Sequence, residues 1–331
     1  MQINKILRRN KMKDISKYEK FKRFIVSNVI KLTPDIAHKL QDYDLNHSIV
    51  DISVDNNDIL VDNFDKIKEV YLYFSDEKSR QVYEGVIKAH LYKSFTKKYN
   101  EYKQIQERCE WVDNNISFTL DDGQTMQMFH DDRQYNPRDL ENVIKYSDNE
   151  TFLDIGGYDG ATIWQFHKIF NGKYKNIISF EPSKYNYEAI LDMIKDIHDE
   201  KIIVYNFGLS EKDCIKYFPK SLDPNCTGHE SGGSNLEKAY FKNVNDILTK
   251  EQLDNVSVIK IDIEGAEMNV LKTLEKTIKK NNPKLILSVY HKVEDIFMIT
   301  DYIHKLLPNH KLYLRHHTNW RFETVLYAIN S

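Results

Sequence analysis

The chain has 331 residues, of which 41% are hydrophobic and 29% charged, and its formal net charge is −3. This length allows two domains, or one large domain with an appendage. Proteins that coat nucleic acid need a basic excess to neutralise phosphate, so no nucleic-acid partner is expected. Three cysteines without metal-type spacing favour a reduced, cytoplasmic setting. No apolar run approaches the ~20 residues of a membrane span, so none is predicted.

Residues 1–129 are predicted to form a mainly helical appendage with a small hairpin. Apolar residues recur at helical spacing within 16–32 and 76–106. Alternating apolar residues from 116 to 128 flank Asp122-Gly123, a dipeptide that tolerates the positive φ of a tight turn, and predict the hairpin. We expect this region to position an acceptor or to support a homo-oligomer.

Residues 130–331 are predicted to form an α/β domain. A helix is expected to begin just after Pro137. Short apolar runs then alternate with helical patterns, which is typical of a parallel sheet covered on both faces. The predicted parallel strands comprise residues 151–155, 177–180, 202–205, 258–261 and 285–289.

Two further strands, 312–314 and 324–328, close the domain differently. About nine residues separate them, too few for the crossover of a dozen or more residues that parallel neighbours need, so they are predicted to be antiparallel. A mostly parallel, Rossmann-like sheet with a C-terminal antiparallel strand pair resembles the arrangement of class I methyltransferases. A plain dinucleotide-binding sheet lacks that pair.

The loop after the first parallel strand favours S-adenosylmethionine as cofactor. Ligands of open α/β sheets bind beyond the carboxyl ends of the strands. A dinucleotide loop needs glycine where Tyr158 stands, because backbone approaches the pyrophosphate there, whereas S-adenosylmethionine has no phosphate to obstruct. Asp154 is expected to meet the methionine ammonium group, directly or through water. The loop residues predicted to bind the cofactor are Gly156, Gly157, Tyr158 and Gly160.

Two polar residues at the next strand ends complete the predicted cofactor site. Glu181 ends the second strand, 21 residues after the glycine loop, where a carboxylate can accept both ribose hydroxyls. An alternative role for Glu181 is helix capping, which the adjacent Pro182 supports. Asn206 follows the third strand. A nicotinamide-dependent dehydrogenase is a weaker alternative, because Tyr158 obstructs its cofactor.

Six motifs, in this order, resemble those of the FkbM-type methyltransferases. They are Phe152-Leu-Asp-Ile-Gly-Gly-Tyr-Asp-Gly160, Phe180-Glu-Pro182, Asn206-Phe-Gly-Leu-Ser210, Ser231-Gly-Gly-Ser-Asn235, Ile259-Lys-Ile-Asp-Ile-Glu-Gly-Ala-Glu267, and a tail from Tyr290-His291 through Leu314-Arg-His-His317 to Thr324-Val-Leu-Tyr327. The resemblance covers roughly residues 130–329, with a departure at Asn245-Asp246, where members often have Leu-Asp. It implies methylation of hydroxyl groups on sugars or polyketides, with S-adenosylmethionine as donor.

Histidines at strand ends are candidates for the acceptor side. An alcohol is a poor nucleophile while protonated, and a base that takes its proton increases the rate roughly 10²–10⁴-fold. His291 ends the fifth strand, and an imidazole with a reference pKa of about 6.5 suits that task. His316 and His317, after the sixth strand, are expected either to line an acceptor pocket or to serve a turn.

Asp262 and Glu264, at the end of the fourth strand, allow three interpretations. They bind acceptor hydroxyls, or hold a divalent cation such as Mg²⁺ or Mn²⁺ together with His291, or Glu264 caps the helix that is expected to begin at Gly265. The loop 221–236 is a candidate lid over the acceptor. The sequence thus predicts an O-methyltransferase with catalytic residues His291, Asp262 and Glu264, acting on a sugar, glycan or glycan precursor. The alternatives are a peptide, polyketide or other small-molecule acceptor, or an inactive binding or scaffold protein.

Overall fold

A computed structural model of the chain describes residues 57–95, 115–119, 125–129, 134–135, 137–219, 236–317 and 323–330. The predicted helix at 16–32, the turn dipeptide Asp122-Gly123 and residues 221–235 of the predicted lid lie outside the described residues. Within the described part of the chain, no helix combines the length and the apolar character needed to cross a lipid bilayer.

The chain divides into two compact units, and neither is continuous in sequence. The first groups the described residues up to 131 with segments 292–302 and 312–325. The second comprises the described residues of 132–291, 303–311 and 326–331. The predicted division between residues 129 and 130 stays a prediction.

The N-terminal part of the first unit contains helices and a hairpin. Its elements are α1 (Asn57–Asp62), α2 (Phe64–Tyr71), α3 (Glu77–Phe95), β1 (Asn115–Thr119) and β2 (Thr125–Phe129). β1 and β2 pair antiparallel, with Thr119 opposite Thr125, which confirms the predicted hairpin. The helix expected at 76–106 is confirmed as far as Phe95, and its remainder lies outside the described residues.

Ser75, Asp76 and Ser79 join the start of α3 to residues 312–315 within the first unit. The backbone N–H of Ser75 donates to the carbonyl of Leu312 at 2.8 Å. The buried guanidinium of Arg315 donates to Asp76 Oδ2 at 2.7 Å and to Ser79 Oγ at 2.9 Å. A buried cation requires such a partner, because desolvation otherwise disfavours its charge.

A seven-stranded sheet forms the framework of the predicted α/β domain. The remaining strands, in chain order, are β3 (Thr151–Ile155), β4 (Asn176–Phe180), β5 (Ile202–Tyr205), β6 (Gly208–Leu209), β7 (Cys214–Pro219), β8 (Leu236–Lys242), β9 (Val258–Ile261), β10 (Lys284–Ser288), β11 (His310–His316) and β12 (Thr324–Asn330). The order across the large sheet is β11-β12-β10-β9-β3-β4-β5. β3, β4, β5, β9 and β10 run parallel, and one strand pair is antiparallel. The class I methyltransferase fold predicted from the sequence is therefore confirmed.

Helices connect the strands. They are α4 (Ala161–Ile169), α5 (Lys184–Ile194), α6 (Val244–Ile247), α7 (Lys250–Asn255), α8 (Glu267–Thr273), α9 (Glu275–Asn281) and α10 (Asp295–Leu306). After Pro137 the expected helix is a short 3₁₀ helix, Arg138–Leu140. Every residue of β3 is buried, as expected of a central strand with both faces covered.

A small second sheet was not predicted. Its order is β6-β8-β7. β7 pairs antiparallel with β8, with Cys214 opposite Phe241 at one end and Pro219 opposite Leu236 at the other. The side chains of Ile215, Tyr217 and Tyr240 are about half exposed. Such partly solvated strands carry a weak sequence signal, because no continuous apolar run marks them.

Candidate active site

The glycine loop, residues 156–160, lies at the carboxyl ends of β3 and β4. Gly156 has φ +94°, and its N–H donates to the carbonyl of Phe180 at 3.0 Å. A Cβ at Gly156 would overlap the backbone carbonyl oxygen of Asp262 and lie 3.1 Å from Ile263 Cγ2. Gly160, with φ +89°, is the N-cap of α4. Glycine is required at Gly156 by both the backbone conformation and the close approach.

Asp154 lies beneath the glycine loop, inside the sheet. Its side chain is 0% exposed, with Oδ1 3.1 Å from Lys260 Nζ and Oδ2 accepting from Ser179 Oγ at 2.7 Å. Lys260 is the register partner of Asp154 on the adjacent strand β9, and its ammonium group also donates to the carbonyl of Gly156. The carboxylate pairs with the lysine that holds the loop. Contact between Asp154 and a methionine ammonium group, directly or through water, stays a prediction.

Burial and pairing set the charge states of this pair. Burial raises the pKa of Asp154, although the Lys260 charge opposes that effect. Burial alone would lower the pKa of Lys260, but the attraction of Asp154 outweighs it and raises the pKa above its usual value. Lys260 therefore remains a cation beneath the loop. A single charged residue within the apolar run Val258–Ile261 was the sequence signal that could have identified it, since buried charges need partners.

Glu181 lies between the glycine loop and the start of α5. Its Oε2 accepts from the backbone N–H of Tyr158 at 2.9 Å, and its Oε1 accepts from the N–H of Ser183 at 2.8 Å. Burial raises the pKa of Glu181 to about 7, even though these backbone donors favour the charged form. The N-cap of α5 is Ser183, whose hydroxyl accepts from the N–H of Asn186, so the helix cap itself is not Glu181.

Asn206 follows β5 and supports the same corner of the sheet. Its side-chain amide donates to the carbonyl of Glu181 at 3.0 Å and to that of Pro182 at 3.4 Å. Asn206 thus fixes the backbone that carries the Glu181 carboxylate. Whether it also contacts a cofactor stays a prediction.

These residues fit the nucleoside portion of S-adenosylmethionine. A carboxylate offers about four lone-pair sites, and Oε2 of Glu181 accepts a hydrogen bond from the backbone N–H of Tyr158, which leaves capacity for a ribose hydroxyl. Tyr158 projects a 37% exposed side chain from φ +51°, where a dinucleotide loop needs glycine. The donor set therefore suits a ribose without a neighbouring pyrophosphate.

A carboxylate–histidine cluster, consisting of Asp262, Glu264, Glu267 and His291, lies next to the glycine loop. His291 Nε2 is 3.4 Å from Asp262 Oδ1 and 3.5 Å from Glu264 Oε2, and Nδ1 is 2.9 Å from Glu267 Oε1. The side chains of His291 and Glu267 are 6% and 0% exposed, whereas those of Asp262 and Glu264 are 22% and 42% exposed. The structure thus brings together all three predicted catalytic residues, with their two carboxylates on the open side.

The carboxylates around His291 shift its pKa away from the ordinary imidazole value. Burial would lower its pKa, but the surrounding carboxylates of Glu264, Glu267 and Asp262 outweigh that effect and raise the pKa to about 10. This shift favours the protonated imidazole, which has no lone pair to accept a proton. The role of His291 as a base therefore stays a prediction.

Glu267, rather than Glu264, holds the turn after β9. Its Oε1 accepts from the N–H groups of Ile263 at 2.9 Å and Gly265 at 3.2 Å, and α8 begins at Glu267 itself. The predicted cap by Glu264 at Gly265 is therefore wrong, because the more deeply buried carboxylate takes those donors. Glu267 was not assigned a role from the sequence, although it closes the Asp262–Glu267 motif. Burial would raise the pKa of Glu267, but its contacts with His291 outweigh that effect, and the pKa is lowered.

His316 and His317 are buried within the first unit. His316 Nδ1 lies 2.8 Å from Thr324 Oγ1, and the backbone N–H of His317 donates to the carbonyl of Glu323 at 3.0 Å. These contacts connect β11 to the start of β12. Lining of an acceptor pocket by either histidine stays a prediction.

Comparison with known proteins supports this description of the domain. Residues 154–315 match the family model of the methyltransferase FkbM domain. The structure of methyltransferase FkbM from Methylobacillus flagellatus KT is similar, with a TM-score of 0.59 and 22% identity over 82% of this chain and 60% of that one. The chain therefore spans less than two thirds of that protein's length, and at this identity the likeness establishes the fold alone.

Two other structures are more distantly similar. An rRNA methylase from Streptococcus thermophilus has a TM-score of 0.35 and 12% identity, over 56% of this chain and 88% of that one. Aeropyrum pernix fibrillarin, in complex with natively bound S-adenosyl-L-methionine, has a TM-score of 0.33 and 12% identity, over 67% of this chain and 97% of that one. TM-scores this low carry no assignment of ligand or substrate. Among proteins with curated descriptions, none is significantly similar to this chain in sequence.

The family match begins at the buried ion-paired Asp154, includes the glycine loop, Glu181 and the whole carboxylate–histidine cluster, and ends at Arg315. The sheet around these residues has the strand arrangement of the class I methyltransferase fold. Residues 154–315, just under half of the chain, are therefore similar to the methyltransferase FkbM domain.

Proposed function

We propose that this chain transfers the methyl group of S-adenosylmethionine to a hydroxyl group of a sugar, glycan or glycan precursor. The observation that carries the proposal is the direct contact between the predicted donor loop and the carboxylate–histidine cluster. Gly156 lies against the backbone carbonyl of Asp262, so the two halves of the site share one backbone junction. Methyl transfer needs such proximity, because in-line alignment can contribute up to about 7–11 kcal/mol in good cases.

On the donor side, the protein supplies a loop and a carboxylate. S-adenosylmethionine, when bound, supplies a methyl group on a positively charged sulfur. Glu181 would accept hydrogen bonds from the ribose hydroxyls, while its two backbone donors, Tyr158 and Ser183, hold it in place. Lys260 would not contact the donor, because its ammonium group is occupied by Asp154 and the Gly156 carbonyl.

On the acceptor side, Asp262 and Glu264 face outward and would accept hydrogen bonds from adjacent hydroxyls. During transfer, a lone pair of the hydroxyl oxygen forms the bond to the methyl carbon, and the carbon–sulfur electron pair stays on sulfur. The hydroxyl proton leaves to a carboxylate of the cluster or to solvent. Two carboxylates side by side suit a polyol, because each hydroxyl donates one hydrogen bond and carboxylates accept only.

The test has two stages. In the first, S-adenosylhomocysteine, NAD and NADP are titrated separately by calorimetry, and only S-adenosylhomocysteine should bind. Donor consumption is then measured with sugar nucleotides and glycans, and in parallel with peptides and polyketides. Transfer to an amine or a peptide instead of a sugar would refute the acceptor class. A folded protein that binds none of the three cofactors would instead indicate an inactive scaffold.

A further inference from the structure

We infer that Asp262, Glu264 and His291 bind a divalent cation, and that Glu267 positions His291 for it. Two carboxylates and one imidazole suit a divalent transition metal, and Mn²⁺ is the probe used to test the site. The role of the cation, which is to hold the acceptor hydroxyl, rests on the proposed function. The existence of the site does not, because it follows from the geometry of the cluster.

The spacing of the three side chains matches a shared ion. One ligand atom from each of Asp262, Glu264 and His291 lies within 4.8 Å of the others. His291 Nε2 is 3.4 and 3.5 Å from the two carboxylate oxygens. Ligands that sit about 2.1 Å from one ion at octahedral or tetrahedral angles are separated by about 3.0–3.4 Å. The two separations from His291 are therefore close to those of neighbouring ligands on one ion, and the carboxylate oxygens lie within 4.8 Å of each other.

His291 provides a second, independent observation. Its side chain is 6% exposed, and both ring nitrogens are buried without a partner in hydrogen-bond geometry among the described residues, although Nδ1 lies 2.9 Å from Glu267 Oε1. Nε2 is directed at Asp262 and Glu264 at distances longer than a good hydrogen bond. A buried nitrogen of this kind needs a partner, and a cation between it and the carboxylates would supply one by replacing the proton that these carboxylates otherwise favour on the ring.

Glu267 completes an arrangement that is common around metal-bound histidines. Such a histidine usually donates its other ring N–H to a carboxylate, which fixes the tautomer and the ring orientation. Here Nδ1 of His291 lies 2.9 Å from Oε1 of Glu267, whose side chain is 0% exposed. The same oxygen accepts from the N–H groups of Ile263 and Gly265, so one buried carboxylate holds both the histidine and the ligand-bearing turn.

The two carboxylate ligands are also held in place. The hydroxyl of Tyr290 donates to Asp262, at 3.3 Å from Oδ1 and 3.4 Å from Oδ2. Glu264 adopts φ +57°, a conformation that is uncommon for a residue with a side chain. Backbone strain of this kind persists where surrounding structure enforces it, and here it places the Glu264 carboxylate opposite His291.

The chemistry of the ligands selects the type of cation. The two carboxylates suit Mg²⁺ and Mn²⁺, whereas the imidazole favours a transition metal over Mg²⁺, so Mn²⁺ is a suitable probe for this mixed site. The three carboxylates around a single imidazole give the cluster an excess of negative charge. Because Asp262 and Glu264 are 22% and 42% exposed, the open coordination positions would face the side from which an acceptor hydroxyl arrives.

The experiment titrates Mn²⁺ into the full-length chain without donor or acceptor, and follows free Mn²⁺ by electron paramagnetic resonance. One saturable site is expected, with nitrogen coupling from one imidazole in pulsed spectra. Asp262→Asn, Glu264→Gln and His291→Ala should each weaken binding at least tenfold, and Glu267→Gln by about 10–100-fold. Glu188→Gln, which changes an exposed glutamate on α5, is the matched control and should bind like wild type.

The same samples are titrated with S-adenosylhomocysteine, which separates the two proposals. Unchanged S-adenosylhomocysteine binding in Glu267→Gln, together with weaker Mn²⁺ binding, would show positioning rather than general damage. Should Glu267→Gln fail to fold, Glu264→Gln still decides, because its side chain is partly exposed. Absence of saturable Mn²⁺ binding in a wild-type chain that binds S-adenosylhomocysteine would overturn the cation site and leave the proposed function standing. Saturable Mn²⁺ binding in a chain that transfers no methyl group would support the cation site and overturn the proposed function.

Discussion

The α-carbon of Gly156 lies against the backbone carbonyl of Asp262, with no room for a side chain between them. The two residues follow neighbouring parallel strands, β3 and β9, and the N–H of Asp262 donates to the carbonyl of Ile155 at 3.0 Å. The glycine loop and the carboxylate–histidine cluster are therefore joined through backbone, where side-chain motion cannot separate them. This junction gives the proposed methyl transfer its fixed distance between donor and acceptor.

Gly156→Ala should destabilise the protein by about 2–5 kcal/mol, because an unfavourable positive φ adds to overlap with Asp262. The matched control is Gly172→Ala. Gly172 also has a positive φ, +69°, but a Cβ there would lie 3.6 Å from His167, an ordinary contact, so about 1–2 kcal/mol is expected. Urea denaturation measures both free energies of unfolding. Equal losses in the two variants would show that the close approach to Asp262 has no energetic consequence.

Above pH 7, where the Glu181 carboxylate is charged, Glu181→Gln should weaken S-adenosylhomocysteine binding by about 1.5–3 kcal/mol, the range for a hydrogen bond to a charged group. The pH dependence has a defined sign. The pKa of Glu181 rises from 4.5 to about 7 on folding, so the native state keeps a proton that the unfolded state has lost. Wild-type stability relative to Glu181→Gln should therefore fall as pH rises from about 4.5 to 7, and then level off. A pH-independent difference in unfolding free energy would contradict the buried, protonated state.

Lys260→Met should destabilise the protein by about 3–5 kcal/mol, because it leaves Asp154 buried without its cation. The double variant Asp154→Asn, Lys260→Met should recover part of that loss, since no uncompensated charge remains. Lys279→Met serves as the control, because its pair with Glu275 is exposed and is worth about 0–1 kcal/mol. Strict additivity of the two single substitutions would mean that Asp154 and Lys260 do not interact.

Asp76→Asn should destabilise the first unit by about 1.5–3 kcal/mol near neutral pH, through loss of its charged bonds to Arg315. Burial would raise the pKa of Asp76, but the bonds from Arg315 and Ser79 outweigh it, and the pKa is lowered from 3.8. The stabilisation is therefore complete above about pH 3.8 and is lost as pH falls further. Unfolding followed across pH 3–7 checks this trend. Glu77→Gln, which alters an exposed pair with Arg80, should show no comparable loss.

Local sequence patterns were sufficient for the framework of the sheet. Buried runs such as Thr151–Ile155 need no information beyond their own apolar character, and strand ends follow from the polar residues after them. The nine residues between the last two predicted strands were enough to exclude a parallel crossover. The partly solvated strands β7 and β8 were missed, because half-exposed side chains such as Tyr217 and Tyr240 dilute the periodic signal.

The sequence by itself determined which strand ends carry chemistry, because parallel strands place their carboxyl ends at one edge of the sheet. It predicted that Asp262, Glu264 and His291 lie at that edge, but it did not give the distances between them. Only the tertiary structure decided which carboxylate touches which partner. Cross-strand register pairs Asp154 with Lys260 beneath the loop, and burial selects Glu267 over Glu264 to hold the turn and His291. Side-chain pairing and desolvation depend on residues far apart in the chain, so the environment that sets each charge exists only after folding.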